Sequence, residues 1–324
     1  MKKRKKGLLV AAGVTAVISG AVAAYLTTAN YLLKVALDRS QPKAKERDKK
    51  RITGSDEYSK MLEVMLKAAA ELEKESFENV EIESFDGVKL VGHWYCPENP
   101  KRVIVAMHGW RSGWSQDFGV IAPFWHKNDC AVLYAEQRAQ GNSEGEYMGF
   151  GLLERYDCFE WVKWVDERTN GELPVYMCGV SMGATTVLMA SGFELPESVK
   201  GIIADCGFTS PHAIWKHVAQ NNLKIPYGLM SAVVNDICKR KIQSASDGYS
   251  CTEALNNCTV PVLFVHGTDD KFVPIEMTYE NYKACTAPKR LFVVPGAAHG
   301  MSYFVDKTGY ENITKEFFKE YDNC

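Results

Sequence analysis

The sequence contains no CxxC pair. Its ten cysteines stand apart at positions 96, 130, 158, 178, 206, 238, 251, 258, 285 and 324, which leaves a zinc ribbon or a thioredoxin-like site without support. No internal repeat or low-complexity tract is visible, so a solenoid is set aside. There is almost no net charge: 38 Lys and Arg stand against 40 Asp and Glu, giving −2, and nothing in the whole chain points to nucleic acid. What is present is ordinary for a globular protein. Over 324 residues, 46% are hydrophobic and 24% charged, enough for one large domain or two small ones. Cys130, Cys178 and Cys206 lie in or beside apolar runs and read as small buried hydrophobes. A Cys251–Cys258 disulfide is conceivable, but sequence does not decide it.

Charge is missing locally as well. Residues 2–6 read Lys-Lys-Arg-Lys-Lys, and no charged side chain follows from Gly7 to Leu33. About 20 apolar residues cross a bilayer as a helix. Ala21-Val22-Ala23 offers a small-x-small cleavage site, but the run is longer than a signal peptide's apolar stretch of about 7–15 residues. An uncleaved membrane anchor over residues 1–38 is the favoured expectation. The basic residues would stay in the cytoplasm, placing the rest of the chain outside it. A cleaved segment would instead give a secreted protein. The many thiols are in tension with an oxidising compartment.

The charged stretch from Lys34 to Arg51 reads as a linker. Met61, Leu62, Met65, Leu66, Ala69 and Leu72 recur at helical spacing within a helix over 55–76. Residues 39–78 are thus linker and helix, and a globular domain is expected over 79–324. It opens with strands at 80–85 and 88–95 around Asp86-Gly87, a hairpin signal. Further strands are expected at 102–107, 131–135, 175–179, 201–204, 260–265 and 291–294. Helices alternate with them, at 115–127, 152–168, from Met182, and at 303–321. Short apolar strands alternating with helices indicate an α/β fold with a mostly parallel sheet covered on both faces. Between Asp205 and Val260 no strand pattern occurs; a small helical cap is expected at about 211–256.

Gly179-Val180-Ser181-Met182-Gly183 follows the strand Pro174–Cys178 and precedes a helix. A sharp strand-to-helix turn needs small residues two before and two after the serine, which is left exposed at its tip. Serine needs a base. His299, in Gly296-Ala297-Ala298-His299-Gly300 after the last strand, is the candidate. His93, His108, His126, His212, His217 and His266 compete less well; His108 and His266, each followed by Gly at a strand end, read as turn elements. The imidazole needs an acid to fix its tautomer. Asp270 is the candidate, after the strand Val260–Val265; adjacent Asp269 and the strand-end Asp205 stay open. The order Ser181, Asp270, His299 is that of the Ser-Asp-His hydrolases. Oxyanion donors are expected at the amides of Met182 and, in Met107-His108-Gly109-Trp110, of Trp110.

Together Val105–Trp110, Arg138–Gly145, GVSMG, Ala204–Pro211, HGTDDKFVP and AAHG resemble bacterial α/β-hydrolases with an N-terminal membrane segment, related to the serine-aminopeptidase and monoglyceride-lipase-like branch. The resemblance covers roughly residues 80–320. It implies an eight-stranded sheet, a triad at Ser181, Asp270 and His299, and the cap. One departure stands out. The family often has Asp, then Arg-x-His-Gly-x-Ser, after the fourth strand; here Glu136-Gln137-Arg138-Ala139-Gln140-Gly141-Asn142-Ser143 stands instead, which puts a local loop interaction in doubt. The expected activity is carboxylic-ester hydrolysis of a small-molecule ester or acyl substrate, with no metal or organic cofactor. Activity is expected to rise near pH ~6–7 as histidine loses its proton. Amide, peptide or thioester cleavage by the same triad is the alternative, and a non-catalytic, membrane-tethered binding protein the remote one.

Overall fold

The computed structural model describes residues 20, 22–40, 56–228 and 230–322. Eight strands form one sheet: β1 (Glu78–Glu83), β2 (Lys89–Tyr95), β3 (Arg102–Met107), β4 (Cys130–Ala135), β5 (Val175–Val180), β6 (Val199–Asp205), β7 (Val262–Gly267) and β8 (Lys289–Val294). Their order is β1-β2-β4-β3-β5-β6-β7-β8. The first two strands pair antiparallel, as does β2 with β4, and all later pairings are parallel. The strand order reverses around β3 and β5. In open sheets of this kind ligands bind beyond the carboxyl ends of the strands at such a switch point.

Burial explains the unbroken apolar runs. Every residue of β3, β4 and β7 is buried, because helices cover both faces. Alternate residues of β3 serve different cores. Val103, Val105 and Met107 pack into one, with Trp161 and Leu188. Ile104 and Ala106 pack into the other, with Trp125 and Phe317.

Two expected helices are broken. Residues 115–127 form Trp114–Phe118 and Ala122–Lys127, interrupted near Gly119. A Cβ there would stand 2.7 Å from the backbone of Ala68 and Ala69, so the break sits where the helix Asp56–Leu72 crosses. The final helix divides into Ser302–Val305 and Lys307–Tyr321, and the Asp306 side chain caps the second by accepting from the Gly309 N–H. Between β6 and β7 lie Pro211–His217, a π-turn Val218–Asn222, Met230–Ile242 and Cys251–Leu255, all helical.

The N-terminal expectation changes in part. Residues 22–37 are helical, and Ala29, Leu33 and Leu37, one face at i, i+4 and i+8, join the main core at 0%, 4% and 0% exposure. The end of the uncharged run is therefore bound to the core beside the sheet. Residues 1–19 and 41–55, which carry the rest of the expected anchor and most of the linker, lie outside the described residues. Among the described residues no helix is long and apolar enough to cross a membrane. The nine described cysteines are free thiols. Cys251 reaches the carbonyls of Thr185 and Phe208, whereas Cys258 donates to the Val260 carbonyl, so Cys251 and Cys258 are not paired.

Candidate active site

The turn from β5 into the helix Met182–Ala190 is tight enough to exclude side chains on both sides of the serine. A Cβ on Gly179 would stand 2.2 Å from the Gly183 carbonyl oxygen, and one on Gly183 would stand 1.8 Å from that of Met107. Ser181 itself has φ 56 and ψ −116, a backbone state costing roughly 1–3 kcal/mol that the packed neighbours must hold in place. The strain leaves its Oγ at the carboxyl end of the sheet and the Met182 amide at the helix start.

The structure brings Ser181, His299 and Asp270 into one hydrogen-bonded chain. His299 Nε2 lies 2.9 Å from Ser181 Oγ, and its Nδ1 lies 2.6 Å from Asp270 Oδ2. With Nδ1–H donating to the carboxylate, Nε2 is free to accept the serine proton. Asp270 Oδ1 accepts from the amides of Phe272 and Val273 at 2.9 and 2.8 Å. Burial pushes its carboxyl up, but His299 and His266 outweigh burial and hold it below the usual carboxylate range. Burial pulls the His299 imidazole down, and the Asp270 charge reverses that, leaving it well above its ordinary value. The remaining candidate acids stand elsewhere. Asp269 is exposed and accepts from Thr268, while Asp205 accepts from Ser302 Oγ at 3.0 Å.

His266, read from sequence as a turn element, belongs to this chain of contacts. Its Nε2 lies 3.0 Å from the Val273 carbonyl and 3.2 Å from Asp270 Oδ2, and its Nδ1 lies 2.6 Å from Thr278 Oγ1. With Nε2–H as donor, it braces the same carboxylate oxygen that faces His299. His108 is likewise more than a turn residue. Its buried ring is pulled below its ordinary pKa by desolvation; neutral, it donates from Nδ1 to the Gly109 carbonyl at 2.8 Å and accepts from the Gln137 amide at 3.1 Å. A histidine followed by glycine at a strand end is a visible signal in both cases, but it reads equally well as a turn.

The loop after β3 lies against the serine: a Cβ on Gly109 would stand 3.5 Å from Ser181 Cβ. Its amides are nearly all spoken for. The Gly109 N–H donates to Asp117 Oδ2 at 2.6 Å and the Arg111 N–H to Gln140 Oε1 at 2.6 Å. The Trp110 N–H has no acceptor among the described residues. Gln140 thereby accounts for the departure noted in sequence, because it holds the loop after β3 from the position where the resembling family often has histidine. Arg138 beside it bonds Asp157 and Asp86. Beyond the loop a row of aromatic rings leads to the helices after β6: Phe150 lies 5.8 Å from Trp110, 6.0 Å from Phe208 and 5.0 Å from Trp215, between centroids.

Among the described residues one trio could ligate a metal. Donor atoms of Cys206, Asp270 and His299 lie within 4.8 Å of one another. Burial holds the Cys206 thiol up at about 11, so it stays protonated near neutrality, and Asp270 and His299 are engaged with each other and with Ser181. That donor set fits a proton relay better than a resident ion.

Comparisons with known proteins bear on the family and the fold. The family model described as "Serine aminopeptidase, S33" matches residues 98–241, the stretch holding the loop after β3 and the Ser181 turn. The Bacillus subtilis protein YqkD is 25% identical over 248 residues, 75% of this chain and 81% of its own length. YfhR of Escherichia coli K12 is 23% identical over 242 residues, covering 72% and 77%. Both are described as uncharacterized. Among solved structures, the Pyrococcus furiosus esterase Pf2001 superposes with a TM-score of 0.63 at 23% identity, over 76% of this chain and 92% of that one. The fold is that of the α/β-hydrolases. The acylaminoacyl peptidase of Pyrococcus horikoshii shares it, with a TM-score of 0.56 at 18% identity over 78% of this chain and 43% of that protein. As the α/β-hydrolase order requires, the candidate nucleophile, acid and base follow β5, β7 and β8.

Proposed function

We propose that this chain is a serine hydrolase that cleaves carboxylic esters through an acyl-enzyme on Ser181. The observation that carries this reading is the doubly bonded His299, 2.9 Å from Ser181 Oγ and 2.6 Å from Asp270 Oδ2. Ser181 Oγ attacks the carbonyl as its proton passes to His299 Nε2. Asp270 keeps the imidazole oriented and stabilises its cation. The amides of Met182 and Trp110 meet the developing oxyanion. His299 then protonates the leaving alcohol, and water attacks the acyl-enzyme by the reverse route. The row from Trp110 through Phe150 to Trp215 gives an apolar wall suited to an acyl chain.

Peptide cleavage by the same residues is the second reading, favoured by the description of the matching family. A panel of p-nitrophenyl esters and aminoacyl p-nitroanilides separates the two. Esters turned over by the wild type and not by Ser181→Ala are expected; a higher kcat/KM on anilides would replace the ester reading. Thioesters belong in the same panel. A folded wild type inert on all three classes would favour a non-catalytic binding protein.

The chain is further proposed to be held at a membrane by the uncharged residues ahead of Tyr25, where the docking contacts of the helix begin, with the hydrolase domain outside the cytoplasm. The five cationic residues 2–6 and the uncharged run that follows support this. Full-length protein is expected to stay with membranes in alkaline carbonate. Release into the supernatant, or protection of the C-terminus from protease added to intact cells, would contradict anchoring or orientation respectively.

A further inference from the structure

The loop that carries the Trp110 amide is tied to a part of the chain far from it in sequence. The helix over residues 22–37 ends with carbonyls that have no partner within the helix, as every helix does. Here the oxyanion loop supplies donors. Trp110 donates from its indole Nε1 to the Ala36 carbonyl at 2.9 Å. Arg111 donates from Nε and one terminal nitrogen to the Val35 carbonyl at 3.0 and 2.7 Å, and from that same nitrogen to the Asp38 carbonyl at 2.6 Å. A guanidinium at a helix C-terminus also meets the negative end of the helix dipole. Arg111 has φ 52, a left-handed state unusual for a side chain of this size.

The helix end is itself held on its other sides. Arg39 donates to the carbonyls of Ser143 and Gly141 at 2.5 and 2.8 Å, and the Met148 amide donates to the Leu37 carbonyl at 2.7 Å. Asp38 pairs with Lys241 on the helix Met230–Ile242, and Tyr25 donates to the Pro226 carbonyl at 2.8 Å. The helix end therefore joins the oxyanion loop, the loop after β4 and the helical insertion.

We propose that the docked N-terminal helix is a working part of the active site, and that Arg111 is a positioning residue holding the Trp110 amide in place through it. This rests on the reading of the Trp110 amide as an oxyanion donor. Side chains on two consecutive residues are pinned to fixed carbonyls, and Gln140 pins the Arg111 amide from the other side. The amide between Gly109 and Trp110 is left little freedom to rotate away. Preorganised donors stabilise a transition state because they need not reorient during reaction. Loosening them lowers kcat while leaving ground-state binding nearly intact.

The test uses the full chain with its N-terminus, because removing residues 1–39 would delete the helix. Steady-state kinetics on a reactive ester and amide hydrogen exchange over residues 108–112 are measured for wild type, Arg111→Ala, Arg111→Lys and Trp110→Phe, with the exposed Arg240→Ala as control. Arg111→Ala is expected to lower kcat about 10–100-fold with KM within about 3-fold, and to speed exchange in the loop. Arg111→Lys should recover part of kcat. Trp110→Phe, which keeps a ring and deletes the N–H to Ala36, should shift both readouts in the same direction and decides the matter if Arg111→Ala does not fold. Unchanged kcat and unchanged exchange in Arg111→Ala and Trp110→Phe would overturn the inference, as would a loss confined to KM. A wild type that turns over no substrate would instead overturn the proposed function, and exchange alone would then decide whether the helix holds the loop.

Discussion

Asp205 ends β6 and Asp270 lies in the loop after the neighbouring β7; they are nearly equally buried at 3% and 7% exposure, and both qualify from sequence as the acid of a triad. Their surroundings push them apart. Asp270 receives two amides and two histidine nitrogens and is held below the usual carboxylate range despite its burial. Asp205 has one hydroxyl donor, Ser302, and burial raises it to about 6. Burial alone thus favours the neutral acid, and a buried carboxylate stays ionised only where donors replace the lost water. Two neighbouring carboxyls with diverging charge invite different roles, and under the proposed function only Asp270 orients the base.

The sharpest way to break this comparison is to neutralise each acid in turn. Asp270→Asn is expected to cost about 10⁴-fold in kcat, since the amide no longer fixes the right imidazole tautomer; Asp205→Asn should stay within about 3-fold. Ester kinetics on both variants read the difference, and a large loss in Asp205→Asn would reverse the assignment. His266→Gln should lower kcat about 10-fold, because Asp270 loses one brace. An unchanged rate would make His266 a packing residue only.

The pH profile sharpens the same contrast. His299 must be neutral to accept the serine proton, and the Asp270 charge raises its pKa. The acid limb of kcat/KM is therefore expected above pH ~6.5, at or beyond the upper part of the range anticipated from an unperturbed histidine. In Asp270→Asn the residual activity should show that limb moved to lower pH. A limb below pH 6 in the wild type would contradict the ion pair.

Stability gives the smallest effect, with a defined sign. The Asp205 carboxyl is raised in the fold, so its contribution is fully present below its unfolded pKa and is lost as pH rises from about 4 through about 6. Asp205→Asn should therefore be more stable than wild type at pH 7.5, by at most about 3 kcal/mol, and no more stable at pH 4, as read by denaturant unfolding. The opposite ordering would mean that Asp205 is stabilised as a carboxylate.

How far these features could be read in advance follows from their range along the chain. The elbow is local: five residues, with a strand before and a helix after, state its geometry outright. Strand positions were also local, set by apolar runs, although Val199–Asp205 and Lys289–Val294 extend beyond the purely apolar stretches. The brace from His266 to Asp270 is only four residues long, yet a strand-end His-Gly reads equally well as a turn. The ties from Gln140 to Arg111 and from Arg111 to Val35 join segments 29 and 76 residues apart, and no periodicity reports such contacts. The N-terminal run was legible as apolar, but its buried Ala29-Leu33-Leu37 face has the same composition whether lipid or protein covers it. The broken helices at Gly119 and Asp306 depend on a crossing helix in one case and a side-chain cap in the other.

The central claim is that Ser181 is an activated nucleophile driven by the Asp270–His299 pair. The most direct test exposes full-length wild type, Ser181→Ala, Asp205→Asn and Asp270→Asn to a fluorophosphonate probe and maps the adduct by peptide mass. The account predicts an adduct on Ser181 in the wild type and Asp205→Asn at similar rates, far slower labelling in Asp270→Asn, and none in Ser181→Ala. An adduct on another residue, or a folded wild type that takes no label, would contradict it.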